Sequence, residues 1–128
     1  MAVGILQWRR IYDRDGYRCV YCKHPLWEDL RVWHCATVDH LYPKSEKWKG
    51  SNSDKNLVAA CQLCNSLKGH FIPSLAKKSG VLVEKKEKFE VHDDHRAEYI
   101  ESVITEIGQQ RSKREIAFTN ERKRIQKN

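Results

Sequence analysis

The sequence predicts a small α+β domain: two short strands and a helix drawn around a four-cysteine metal staple, with a flanking N-terminal helix and a helical C-terminal extension. Three observations carry this prediction. Cys19-x-x-Cys22 and Cys61-x-x-Cys64 are two pairs with metal-ligand spacing. Between them, Thr37-Val38-Asp39-His40-Leu41-Tyr42-Pro43 has strand character and sets an acid beside a histidine. Beyond Asp94, apolar residues recur at helical spacing in a charged background.

Residues 4–14 read as a helix, because Ile5, Trp8, Ile11 and Tyr12 recur at helical spacing while Arg9, Arg10 and Arg14 lie on the other side. The apolar stripe is expected to pack on the core, and Asp15-Gly16 to turn the chain. Two thiolates three apart on a tight turn, as in Cys19-Val20-Tyr21-Cys22, point at one tetrahedral ion. One such pair reads equally as a redox motif. Two pairs, with residues 23–60 between them, read as one zinc site whose four protein ligands leave no open position, hence a structural site. Cys35 is left over and is expected to be a small buried apolar residue.

Residues 24–36 are mixed in character. Trp33 is expected to approach a strand whose body runs from Ala36 to Leu41, with Pro43 ending the pairing. Residues 44–55 form a polar loop with Gly50 at its turn; Lys44, Lys47, Lys49 and Lys55 read as phosphate contacts or, equally, as a solvated loop. Asn56–Ala60 is a short apolar run that suits a second strand or the entry to a helix. Cys61–Lys68 is expected to be helical with Gly69 as its stop, which brings Cys61, Asn65 and Lys68 close to one face.

The character changes at Ile72-Pro73-Ser74, so the expected division is a core of residues 1–75 and a charged, mainly helical extension of residues 76–128. Val81–Val83 and Phe89–Val91 read as short strands around a charged turn. Asp93 or Asp94 is expected to cap a helix carrying Ala97, Ile100, Ile104 and Ile107 on one side, widened by Tyr99 and Val103, with Gly108 as its stop. Residues 111–128 hold seven Lys or Arg against two Glu. Arg111, Lys113, Arg114, Arg122, Lys123 and Arg124 read as DNA contacts or, equally, as a solvated helix end.

An apolar fraction of 40% with 32% charged residues suits a soluble globular chain and not a disordered one. The net charge of +7 favours a polyanionic partner, nucleic acid first, with an anionic membrane surface and simple solubility as alternatives. No apolar run approaches membrane-spanning length, and the first ten residues lack the basic start and apolar core of a leader. The expected location is the cytoplasm, where reduced thiols bind metal before they pair as disulfides.

An acid beside a histidine within a metal-stapled frame points to phosphodiester chemistry. Hydrolysis needs a base for water, a cation for the developing charge and a stabilised leaving oxygen. Histidine suits the base because its ordinary pKa lies near neutrality. Asp39 and Asn65 offer hard oxygens that suit magnesium or manganese better than zinc. Neighbours on a regular strand point to opposite faces, so Asp39 and His40 reach one site only where the strand ends, as Pro43 indicates.

These segments resemble the HNH endonuclease family, with its ββα-metal fold and four-cysteine zinc knuckle. The matching stretches are Arg14–Cys22, Val38–Pro43, Asn56–Val58 and Cys61–Gly69, in the family's order, within residues 8–70. The resemblance implies His40 as general base and Asp39 as a ligand of a catalytic divalent metal, magnesium or manganese. It implies Asn56 as the residue that braces the loop and orients the histidine, Asn65 as second metal ligand and Lys68 near the phosphate. Asn65 stands where other members carry histidine, a variant that occurs within the family. The implied activity is DNA cleavage leaving 5′-phosphate and 3′-hydroxyl ends. The resemblance does not extend to residues 75–128 and leaves the oligomeric state open: a dimer through residues 94–118 would convert nicking into double-strand cleavage, and a phage or host protein is the other candidate partner. His70 is close enough to be an alternative metal ligand, but a phosphate contact or no role at all is the preferred reading. Two other functions fit parts of the sequence. A zinc-stabilised DNA-binding or adaptor module needs the cysteines and the basic surface but not Asp39, His40 and Asn65 together. A redox protein needs cycling thiols and no stable zinc.

Overall fold

The computed structural model describes residues 3–127. Met1 and Ala2, part of the start read above for a leader, and Asn128, the end of the basic tail, lie outside the described residues. At the centre, β1 (Ala36–His40) pairs antiparallel with β2 (Leu57–Cys61), placing Ala36 opposite Cys61 and His40 opposite Leu57. The chain then enters α3 (Gln62–Lys68) directly. β2 is buried along Leu57–Ala60, which accounts for its unbroken apolar run where a half-exposed strand would alternate. Gly69, at φ +54°, ends α3 as expected.

α1 (Ile5–Arg14) docks beside β2 through Ile11 and Tyr12, both fully buried. The rest of the stripe departs from expectation. Trp8 is only half-buried, stacked on Tyr12 with ring centroids 3.8 Å apart, and Ile5 is 74% exposed. Polar groups fix the dock: Arg14 donates to Leu57 O at 2.5 Å and to Asp54 O at 2.7 Å, and the Asp15 carboxylate accepts from Ala59 N at 2.8 Å. Trp33 lies in a short helix, α2 (Leu30–His34), and not in an extended approach to β1. The Asp29 side chain accepts from Val32 N at 2.9 Å and so caps that helix, a role a lone Asp in a mixed stretch does not advertise. Cys35 follows it and is exposed, contrary to the expected buried position.

β3 (Leu82–Lys85) and β4 (Lys88–Val91) form the second hairpin. Its two-residue turn has Lys86 and Glu87 both at positive φ, as a type I′ turn requires. This hairpin backs the loop after β1: Phe89 N donates to Lys49 O at 2.9 Å, and Phe89 O accepts from Ser51 N at 2.8 Å. α4 (Asp93–Gln126) is 34 residues long, or about 51 Å at 1.5 Å per residue. Its cap is His92, whose Nδ1 accepts from Asp94 N at 3.1 Å; Asp93 and Asp94 sit in the first turn, where they complement the helix dipole. The buried stripe is Tyr99, Val103 and Ile107, while Ala97 is exposed and Ile100 and Ile104 are half-buried. The Tyr99 hydroxyl donates to Leu41 O at 3.1 Å and ties the helix to the end of β1. Gly108 does not stop α4. A helical glycine costs only about 1 kcal/mol, and no proline or turn residue follows to exploit it. From Arg111 onward every described side chain is exposed. Among the described residues, no helix is long and apolar enough to cross a membrane.

Candidate active site and metal centre

The two knuckles meet where β2 runs between them. Val20 N donates to Ala59 O at 2.9 Å, so the first pair is stitched to β2, while Cys61 ends that strand and caps α3. The Sγ atoms of Cys19, Cys22, Cys61 and Cys64 all lie within 4.8 Å of one another, and Cys22 Sγ is 3.9 Å from Cys61 Sγ. A tetrahedron with Zn–S near 2.3 Å spaces its sulfurs about 3.8 Å apart, so the cluster fits that ion. Cys22 N points at Cys19 Sγ at 3.5 Å and Cys64 N at Cys61 Sγ at 3.4 Å, donors that favour thiolates. Hydrogen bonding to Cys19 pushes the Cys61 thiol up to about 11 and Cys64 higher still. A dication removes that resistance, because four thiolates around a charge of two no longer repel unchecked. Cys35 is outside the cluster.

A cleft of about 200 Å³ opens beside this centre, lined by Asp39, His40, Lys44, Asn65, Lys68 and His70 among others. The alternation problem is resolved as anticipated: His40 is the last residue of β1, so its side chain and that of Asp39 line the same cleft. Asn65 and Lys68, three apart on α3, supply the opposite wall. Asp39 is buried. Its carboxylate accepts from the Tyr21 hydroxyl at 2.5 Å and pairs with Lys68 Nζ at 3.2 Å. Lys68 also donates to His40 O at 2.9 Å. The oxygens of Asp39 and Asn65 are a hard donor set on one cleft and fit a hard divalent cation.

His40 Nε2 lies 2.8 Å from Asn52 Oδ1. That oxygen only accepts, so Nε2 carries the proton and Nδ1 keeps a free lone pair. Burial holds the imidazole pKa below its ordinary value. Lys44 and Lys68 add to that lowering, against the opposing pull of Asn52 and Asp39. The neutral ring is thereby favoured.

Asn56 is fully buried and bonds to the loop, not to the ring. Its Oδ1 accepts from Tyr42 N at 2.9 Å, and its Nδ2 donates to Tyr42 O at 3.1 Å and Ser51 O at 2.8 Å. It ties together the two ends of the segment 42–51, directly after which Asn52 stands. Gly50 belongs to the same clamp: an added Cβ would collide with the carbonyl oxygens of Tyr42 and Pro43.

Residues 19–71 match the HNH endonuclease family. No curated protein and no solved structure matches the chain significantly. The HNH region covers both cysteine pairs, β1, β2, α3 and the cleft, and such a domain suggests a nuclease or DNA-binding function. Of the residues singled out in the sequence, the four cysteines come together as one cluster, and Asp39, His40, Asn65, Lys68 and His70 share the cleft. Lys44 lines it; Lys47, Lys49 and Lys55 are exposed on the loop, and Arg111, Lys113, Arg114, Arg122, Lys123 and Arg124 on the far part of α4. Two site residues escaped the sequence reading. Tyr21 sits between two cysteines, where spacing drew all the attention. Asn52 lies in Gly50-Ser51-Asn52-Ser53, a run that reads as an ordinary turn.

Proposed function

We propose that the chain is a metal-dependent DNA endonuclease of the HNH type, with zinc on Cys19, Cys22, Cys61 and Cys64 as the staple. The observation that carries this is His40, its Nε2 held 2.8 Å from Asn52 Oδ1, set on one cleft with Asp39 and Asn65. Asp39 and Asn65 would hold magnesium or manganese, which when bound supplies positive charge for the phosphate and the leaving oxygen. His40 Nδ1 takes a proton from water. The water oxygen bonds to phosphorus as the P–O3′ bond breaks, and the 3′-oxygen leaves as a hydroxyl after taking a proton from solvent. Asn52 holds the ring by Nε2, which leaves Nδ1 for the water. Asn56 holds the loop that carries Asn52. The exposed lysines of the loop and the basic far end of α4 bind the DNA backbone.

The test is plasmid nicking by purified protein with magnesium or manganese, beside a chelator control and His40→Ala. Metal-dependent nicking absent from the mutant supports the reading; equal activity in both means a contaminant and removes the site assignment. One observation favours the second reading, a DNA-binding module without catalysis: Asp39 is already charge-balanced by Lys68. DNA binding with no nicking under any metal would select it.

A further inference from the structure

We infer that Lys68 is the built-in counter-ion of Asp39: it keeps the cleft assembled with no divalent ion and holds the site's affinity for such ions low. The inference deepens the nuclease reading and rests on its placement of a cation at Asp39 and Asn65.

A lysine that reaches out for phosphate leaves its ammonium open to solvent. Lys68 does the reverse. Its side chain is 1% exposed, and Nζ is turned onto its own chain, 3.2 and 3.5 Å from the two Asp39 oxygens and 2.9 Å from His40 O. Lysine is almost never buried so fully unless paired, and the Asp39 side chain, 7% exposed, needs a partner as much. The Tyr21 hydroxyl, at 2.5 Å, adds a neutral donor to the same carboxylate. Asp39 is thus placed and paired by residues of the fold alone.

A carboxylate has about four lone-pair positions, so Tyr21 and Lys68 leave some of them for the cleft that Asn65 shares. An ion taken up there meets an ammonium bonded to the same group. Two cations a few ångströms apart in a partly desolvated site repel strongly. A DNA phosphate brings the negative charge that offsets this repulsion. Metal and DNA therefore bind with positive coupling, each raising the affinity for the other.

The test is manganese binding to the full zinc-loaded chain without DNA, by isothermal titration calorimetry, for wild type, Lys68→Met, Lys68→Gln and Lys68→Arg. Zinc content and a melting curve establish that each variant is folded. Removing the charge is expected to tighten manganese binding about tenfold or more, whereas Lys68→Arg stays as weak as wild type. The glutamine variant keeps a donor for His40 O and so guards against simple collapse of the methionine variant. A wild-type reading stands beside these: millimolar manganese without DNA leaves the melting temperature unchanged. Equal or weaker binding in the neutral variants would make Lys68 a brace only and overturn the inference. So would a wild type stabilised by manganese alone, or the absence of manganese binding in every variant. Plasmid nicking by wild type, run in parallel, reports separately on the nuclease reading.

Discussion

His40 Nε2 and Asn52 Oδ1 lie 2.8 Å apart, and the asparagine is held in place by groups from both halves of the chain. Asn56 fixes the loop from below at Tyr42 and Ser51; Phe89 of the second hairpin fixes it at Lys49 and Ser51. Orientation of a general base is part of its power, which is worth about 10² to 10⁴ in rate. Asn52→Ala is expected to slow single-turnover nicking about tenfold or more while leaving DNA affinity unchanged. Asn52→Asp keeps the accepting oxygen and should retain more activity than the alanine variant. Equal rates for all three proteins would show that the ring needs no such partner.

The lowered pKa of His40 fixes the direction of the pH response. Burial disfavours the imidazolium, so the proton leaves at a pH below the ordinary value of about 6.5. The base form is then present throughout the neutral range. Single-turnover rate should rise with pH on the acid side, with a midpoint below about 6.5, and level off toward pH 8. The stability effect has the matching sign. The neutral ring favours the fold above the unfolded pKa, and that contribution is lost as pH falls through the folded pKa. A midpoint at or above 7 would contradict the burial of this ring.

Asn56 makes three side-chain hydrogen bonds in a fully buried position, which tells its roles apart by substitution. Asn56→Ala strands an amide donor and two carbonyls, at about 1–3 kcal/mol for each group left unsatisfied. Asn56→Asp preserves the bond from Tyr42 N but sets a carboxylate against the carbonyls of Tyr42 and Ser51. Both variants should lower denaturant stability and lose nicking, the aspartate no less than the alanine. An aspartate variant as stable as wild type would mean that the amide donor is not needed.

The parts of the fold governed by local chemistry were legible in the residues. Both cysteine pairs, the two central strands and α3 with its Gly69 stop follow from spacing, propensity and one glycine. What was not legible depended on contacts made at long range. Trp33 looks strand-like until Asp29 caps a helix through it and its ring meets Trp8 in a T-shaped contact, with centroids 5.0 Å apart. Asp93 and Asp94 are stronger cap formers than His92, but the hairpin delivers the chain so that His92 comes first. The stripe of α4 was misphased because Ala97 and Ile100 suggest one face, while Tyr99 finds Leu41 and sets another. In the cleft, the chemistry-bearing pair was visible in Asp39-His40. Its supports were not: Tyr21 and Asn52 acquire meaning only when the loop and the knuckle are brought against β1.

The metal staple makes a prediction about cooperativity. Cys19 and Cys64 are fully buried members of the main core, so an ion held there and the apolar packing would stand or fall together. Zinc removal by a strong chelator, or Cys22→Ser, should abolish the cooperative melting transition, since in small metal domains binding free energy is folding free energy. Circular dichroism melting with zinc quantitation reads this directly. Chelated protein that melts as sharply as loaded protein would show that the four thiols are not a structural centre.

Beyond Gln110, α4 makes no buried contact, so its cost and benefit to the fold are both small. Ile107 is the last buried residue of its stripe. The segment is nevertheless basic, and among its described residues only Arg111 and Arg124 pair with acids of their own helix, Glu115 and Glu121. Such exposed pairs contribute about 0–1 kcal/mol and yield readily to phosphate. Removal of residues 111–128 should leave the melting temperature nearly unchanged while weakening DNA binding. The salt dependence of the affinity discriminates the cause. Each phosphate contact contributes about 0.9 to the slope of log affinity against log salt, so the truncated chain should show a shallower slope. An unchanged slope with unchanged affinity would place the DNA on the loop lysines and the cleft alone, and leave the far end of α4 as a solvated helix.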